Sequence, residues 1–351
     1  MNKVYKKILV CTLSIWTCII AHAQSIHFSQ FTNTPLLTNP ANTGFIPDGD
    51  YRISAHYRTQ YSAVMNVPYT TFAVFGDTRT FESEDQNGWL GIGTSLMRDV
   101  AGSSALSTTK LYGSVAYHQI LGASSLLSGG ITAGWVNKNI NRSKLKFPDQ
   151  FDGRFFDSNL PTNVILDNTA INYLDVQLGL NYAYFPNEQT YINGGLSIQH
   201  INKPKETFFQ STTIDVKTGG PYNQTIPIQY NIFVNGSFKT NSDWILNPNI
   251  HYNRTTGTSA LALGCTAQYN LSGDGGSQLI GGLYYRLNDA IIPMIGLNIQ
   301  GFAFTFSYDA TVSSLTKFNN TYGALELSLV KIGLFNNADQ QRRRPLICPK
   351  F

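Results

Sequence analysis

The chain has 351 residues, 25 lysines and arginines against 21 acidic residues, 13% charged and 13% aromatic residues, and a mean hydropathy of -0.13. An average soluble domain carries roughly 25% charged residues, so this chain lacks about half the usual charge without being more apolar. That combination excludes a disordered charged tail, a nucleic-acid binder with a basic face and a bundle of apolar membrane helices, and leaves open a membrane protein built from strands.

Residues 1–23 read as a secretory signal peptide: Lys3, Lys6 and Lys7 precede an apolar run from Ile8 to Ile20, and Ala21-His22-Ala23 offers a small-residue cleavage site before Gln24. An uncleaved anchor would need more than these roughly 13 apolar residues to cross about 30 Å of hydrocarbon. Loss of the three lysines takes the formal net charge from +4 to +1. Cys11 and Cys18 leave with the signal. Thr17 before Cys18 speaks against a lipoprotein, and Cys265 and Cys348 remain without disulfide or metal spacing.

Residues 24–50 contain Pro35, Pro40 and Pro47 and no lasting periodicity, which predicts a loop-rich leader that either tucks into the following domain as a plug or lies beneath it. From 51 to 335 the dominant period is two, the signature of strands whose side chains alternate between two faces. The predicted strands are 51–60, 69–78, 88–98, 106–119, 126–138, 172–184, 190–201, 227–239, 244–254, 258–270, 278–286, 290–299, 301–310 and 321–335. In one, Leu174, Val176, Leu178, Leu180, Tyr182 and Tyr184 oppose Asp175, Gln177, Gly179, Asn181 and Ala183; in another, Ile228, Tyr230, Ile232 and Val234 oppose Gln229, Asn231, Asn235 and Ser237. A third sets Phe302, Phe304, Phe306 and Tyr308 against Ala303, Thr305, Ser307 and Asp309.

These segments are longer than the roughly five to six residues of an average strand and match the roughly nine to eleven that cross a bilayer at a tilt. Lipid offers no partner to an exposed backbone edge, so a spanning sheet has to close. The expectation is an all-β, transmembrane antiparallel barrel of about 14 strands in the outer membrane. If the first strand runs outward, the short joins at 186–189, 240–243 and 301 fall inside and the two long connections, 139–171 and 202–226, fall outside, as outer-membrane barrels require. Trp89, Trp135, Trp244, Tyr184, Tyr252 and Tyr269 are expected at the headgroup level. The soluble alternative, a sandwich with aromatic core residues, fits the strand lengths and low charge less well.

Residues 336–351 form a basic tail, with Arg342, Arg343, Arg344 and Lys350 against Asp339. By strand parity it emerges in the periplasm. Arg342, Arg343, Arg344, Cys348, Lys350 and Phe351 are candidate contacts to an acidic periplasmic partner, since arginine forks pair bidentately with carboxylates. On the outside, Phe147, Asp149, Phe151, Asp152, Phe155, Phe156, Phe208, Phe209 and Tyr222 are candidate partner contacts in the two long loops.

No cofactor or metal is expected and the chain does not read as an enzyme. His27, His56, His118, His200 and His251 lie in separate segments, and a lipase-like Ser–His pair on the outer wall is less economical than polar lumen or strand-end histidines. Asp149-Gln150-Phe151-Asp152 lacks the ordering of a calcium loop and reads as a turn closed by Gly153. Gly91-Ile92-Gly93 continues a strand and is no phosphate loop.

Several motifs carry a family resemblance: His27-Phe28-Ser29-Gln30-Phe31, Asn39-Pro40-Ala41, Tyr57-Arg58-Thr59-Gln60, Arg98-Asp99-Val100-Ala101-Gly102, Ser143-Lys144-Leu145-Lys146-Phe147 before Asp149-Gln150, His200-Ile201-Asn202-Lys203-Pro204, Tyr308-Asp309 with Ser313-Ser314-Leu315, and Cys348-Pro349-Lys350-Phe351. In this order and spacing they resemble the PorP/SprF family of type IX secretion system membrane proteins. The resemblance implies an outer-membrane barrel of a Gram-negative bacterium, surrounded by outer-membrane lipid. It implies a role in exporting or anchoring a secreted surface protein with a C-terminal type IX sorting domain, such as an adhesin, and in some members gliding motility. It further implies contact with a periplasmic peptidoglycan-binding lipoprotein or other secretion machinery. One departure is visible: where the family's last strand commonly carries His before its Glu, Leu325 precedes Glu326, which puts a lumen hydrogen bond from that His in doubt. The competing expectation is a passive channel for hydrophobic small molecules, which requires an open, apolar lumen.

Overall fold

The computed structural model describes residues 28–47, 49–83, 85, 87–102, 106–145, 147–157, 160–162, 168–208 and 224–335. The signal peptide, residues 24–27 and the basic tail with Arg342, Arg343, Arg344, Cys348, Lys350 and Phe351 lie outside the described residues, as do Phe209 and Tyr222.

Alternating apolar and polar residues produce fourteen strands: β1 (Tyr51–Gln60), β2 (Tyr69–Thr80), β3 (Gly88–Ala101), β4 (Leu106–Ile120), β5 (Ser125–Ile140), β6 (Ala170–Asn187), β7 (Thr190–Gln199), β8 (Gln229–Lys239), β9 (Trp244–Thr255), β10 (Thr258–Asn270), β11 (Ser277–Arg286), β12 (Ala290–Ile299), β13 (Phe302–Thr311) and β14 (Tyr322–Gly333). Each pairs antiparallel with its sequence neighbours, and β1 closes on β14 from Tyr51 opposite Gly333 to Gln60 opposite Ala324. The barrel has no free edge, so the strands pair with one another all the way round the wall.

The two faces of the wall are inverted relative to a soluble protein. Leu174, Leu180, Leu283, Ile295 and Phe304 stand exposed on the outside, whereas Asp175, Asn181, Ser307 and Glu326 are at most 1% exposed inside. Apolar area of this extent facing outward is stable only against hydrocarbon. Trp135, Trp244 and Tyr184 face outward as expected. Trp89 does not. It is buried in the lumen, where its indole N–H donates to the Gly44 carbonyl at 3.0 Å, because residue 89 shares the inward parity of Ser95 and Met97, opposite to Ile92 and Leu96.

Connections 81–87, 121–124, 188–189, 240–243, 271–276 and 300–301 cluster at one end, with the start of β1 and the end of β14. The other end carries 61–68, 102–105, 141–169, 200–228, 256–257, 287–289 and 312–321. Outer-membrane barrels turn their short connections to the periplasm, which makes the second end the outer one.

Candidate functional site

Inside the barrel, residues 28–46 run from the outer end to the periplasmic end. They consist of 3-10 turns at Phe31–Asn33 and Pro40–Asn42 flanking one helical turn at Pro35–Thr38. Prolines at 35 and 40 start these turns at the position where a missing N–H costs nothing. Many of the leader's other polar groups are satisfied by the wall. At the outer end, both oxygens of Glu326 accept backbone N–H groups, Ser29 at 2.6 Å and Gln30 at 3.0 Å. The Ser29 hydroxyl donates to Asp309 at 2.8 Å and accepts from Arg58 and Arg286, each at 2.9 Å, so its hydrogen-bonding capacity is filled. Arg58 pairs with both Glu326 and Asp309, and Arg286 reaches Asp309 at 2.7 Å and Asp289 at 2.5 Å. A register shift at Asp309 and Ala310 between β13 and β14 lies beside this group, as bulges often do where a side chain must be aimed.

Further along, Ser197 donates to the Thr38 carbonyl at 2.8 Å, Asn39 Nδ2 donates to the Leu180 carbonyl at 2.9 Å, and Ser114 receives the Thr43 hydroxyl at 2.9 Å. Asp77 accepts from Gly44 N–H at 2.8 Å and pairs bidentately with Arg52 at 2.7 and 3.0 Å. Phe28, Phe31 and Phe45 fill three apolar clusters, against Ala73 and Met97, against Tyr284, Ile292 and Met294, and against Trp89, Leu126 and Phe185. Many wall contacts come from residues in the motifs above: Ser29, Gln30, Asn39, Arg58 and Asp309. Leu325 is on the outward parity of β14, whereas Glu326 points inward. The residue before the Glu therefore faces lipid, and its identity does not bear on the lumen bonds.

From Pro35 onward the leader leans on β3–β7. On the opposite side, at the periplasmic end, a cavity of about 590 Å³ remains between β8–β14 and the leader's Thr32, Asn33 and Pro35. Asn235, Asn247, Asn249, Gln268, Gln278 and Asn298 line it. The β8–β9 ladder lapses beside it, with Gly236 and Ser237 unregistered opposite Asn247 and Pro248, since proline has no N–H to give.

The outer-loop residues fall into an ordered unit. Phe151 and Phe156 form an antiparallel bridge, closed by Asp152, which accepts Phe155 N–H at 2.6 Å and Arg154 N–H at 2.7 Å. These amides, Phe155 first, hold its carboxyl below the usual range. Gly153 turns at φ +97°, so this segment is the turn read from the sequence. Phe151, Phe155 and Phe156 are exposed. Phe147 N–H donates to Gln150 Oε1 at 3.1 Å, and Asp149 accepts the Thr162 hydroxyl at 2.9 Å. The two long loops meet where Asn168 N–H donates to the Phe208 carbonyl at 3.2 Å, and the second is tied to the wall where Glu206 takes Lys138 of β5 and, at 3.0 Å, the Tyr173 hydroxyl of β6.

The described histidines His118, His200 and His251 point into the lumen. His118 sits between the Ser128 hydroxyl at 2.7 Å and the Thr43 carbonyl at 2.8 Å, His200 binds Asp175 at 2.8 Å, and His251 stacks on Phe31. None of the three stands on the outer wall. The sequence reading did not single out the cluster of Arg58, Arg286, Asp309 and Glu326 or the amide-lined cavity. The available signal was charge at inward positions of a chain with only 13% charged residues.

Against known families, residues 20–330 match the model of the type IX secretion system membrane protein PorP/SprF. The chain belongs to this family. Membership and the closed 14-strand barrel together make it an outer-membrane protein of a Gram-negative bacterium. No curated protein sequence matches it. Among solved structures, it resembles the Pseudomonas putida toluene transporter TodX (TM-score 0.51, 10% identity, 87% of this chain and 93% of that one) and the TodX deltaS2 mutant, a monoaromatic hydrocarbon channel (0.50, 10%, 85% and 93%). At this identity the likeness is one of fold. Family and fold are those of secretion-associated and outer-membrane barrels rather than of known enzymes.

Proposed function

We propose that this PorP/SprF protein works at its two ends and not through its middle: it retains a secreted partner with a type IX sorting domain on its long outer loops and couples to periplasmic secretion machinery, or to a peptidoglycan-binding lipoprotein, below. The observation that carries this reading is the leader fixed by charge and hydrogen bonds along the lumen. A barrel filled in this way is a poor conduit, so its surfaces are what it offers. The exposed phenylalanines 151, 155 and 156 on an ordered hairpin provide rigid apolar contacts of the kind that anchor interfaces. An adhesin is a partner of the expected kind, and gliding a process it would serve.

Replacing 141–169 and 200–228 by short turns should release the secreted partner from cells while the barrel stays inserted. Retention of the partner by that variant would overturn the outer-loop role. Truncation before Arg342 should uncouple export from the barrel, and unchanged export would remove the tail from the reading. Passage of hydrophobic compounds, the activity named for the TodX neighbours, predicts uptake into liposomes by purified protein; the polar lining and the leader speak against it.

A further inference from the structure

We propose that the periplasmic cavity beside the leader is a binding site for an extended, uncharged polypeptide segment. Its location and walls carry the inference. The lining includes Asp274 and Gly275 from the 271–276 turn and Gly301 from the 300–301 turn, so the cavity belongs to the short-turn end, and the leader's Thr32, Asn33 and Pro35 border it within the barrel. Its volume of about 590 Å³ falls within the ~300–1,000 Å³ range of ligand pockets.

The chemistry of the lining selects the ligand. One end of the amide of each of Asn235, Asn247 and Asn298 is buried and meets no protein partner. Those ends are shut off from the cavity; what an occupant meets is the open part of these three side chains and of Asn249, Gln268 and Gln278, six carboxamides on one lining. A carboxamide carries the same donor and acceptor set as a peptide unit, and suits a backbone with one N–H and one carbonyl per residue. Between the amides, Ile245, Ile280, Met294 and Val330 offer apolar seats for side chains.

Charge is not available for recognition. Arg52 is bound to Asp77, and Asp274, which accepts from Ser272 and from Gly276 N–H at 2.8 Å, is already occupied. A glycan is the less suited occupant, because Tyr191 is the sole aromatic residue on the lining and the aliphatic seats would face hydroxyls. From Asn298 to Met294 the wall covers about 13 Å at ~3.3 Å per residue, room for about four extended residues. This proposal does not depend on the outer loops: failure of either leaves the other standing.

The test uses the purified full chain in detergent micelles and fluorescent, end-capped seven-residue peptides built from Gly, Ala, Ser, Thr, Val and Asn, with chitin tetrasaccharide as the glycan arm. Saturable binding of peptides, weakened at least about ten-fold by the double variant Asn247→Leu/Asn298→Leu, is expected. A benzophenone placed on the bound peptide should label β8–β13 of the unaltered protein, which keeps the test valid if the variant fails to fold. Binding by no peptide, labelling confined to the outer loops, an unchanged affinity in the folded variant, or preference for the tetrasaccharide would each overturn the proposal.

Discussion

The two sides of the lumen are made from different residues. Where the leader lies, β3, β5 and β6 each place a glycine at the inward position that meets its backbone or Asn39: an added Cβ would stand 2.0 Å from the Thr43 carbonyl oxygen at Gly91, 2.5 Å from Pro40 at Gly130 and 1.9 Å from Asn39 Oδ1 at Gly179. On the uncovered side, β8, β9, β11 and β12 present Asn235, Asn247, Gln278 and Asn298 instead. The leader's seat is thus built by subtraction, by removing side chains until backbone can meet backbone. The cavity is built by leaving amides in place. A strand pattern alone makes both walls equally polar; what separates them is that the glycines 91, 130 and 179 are where the wall meets the leader.

The charged cluster is the place to break the seated side hardest. Arg58→Ala leaves Glu326 and Asp309 short of a partner while still buried, and should cost about 3–5 kcal/mol, read as a large fall in thermal unfolding midpoint in detergent. A neutral midpoint would mean that the cluster does not hold the leader. Next, Gly91→Val forces a side chain into the Thr43 backbone and should cost about 1–3 kcal/mol, with the leader becoming cleavable by added protease while the barrel remains resistant. The finest comparison sets the two walls against each other. Asn39→Ala removes seated hydrogen bonds and should destabilise by about 1–3 kcal/mol. Asn247→Leu removes an amide with one unpartnered end and should stay within about 0.5 kcal/mol of wild type. Equal losses from both would erase the distinction between the walls.

Much of the barrel was legible because its rule is local. Period two over 170–187 is visible within the segment itself, and the expected 172–184 differs from β6 only by frayed ends. The first strand, Tyr51–Gln60, and β10, Thr258–Asn270, coincide with their expected bounds. Trp89 departs from expectation because headgroup preference is a property of residue type, whereas its direction is fixed by its alternation with outward Ile92 and Leu96 along β3. The bonding of the leader was not legible for another reason. Ser29 and Glu326 are 297 positions apart, and nothing near either residue announces the other. Likewise Asn235, Asn247 and Asn298 look like ordinary inward polar residues until closure of the sheet brings them to one wall.

Glu326 lies on the last strand and Arg58 on the first, and both grip Ser29 near the start of the chain, Glu326 holding Gln30 as well. The seam and the leader therefore share one fastening. The earliest described part of the polypeptide finds its acceptors only when the final strand is present, so threading and circularisation have to finish together. A barrel that zipped shut with its leader outside would enclose two arginines and two carboxylates deprived of the serine hydroxyl and peptide amides that complete their bonding, an inherent penalty against mis-threaded assembly.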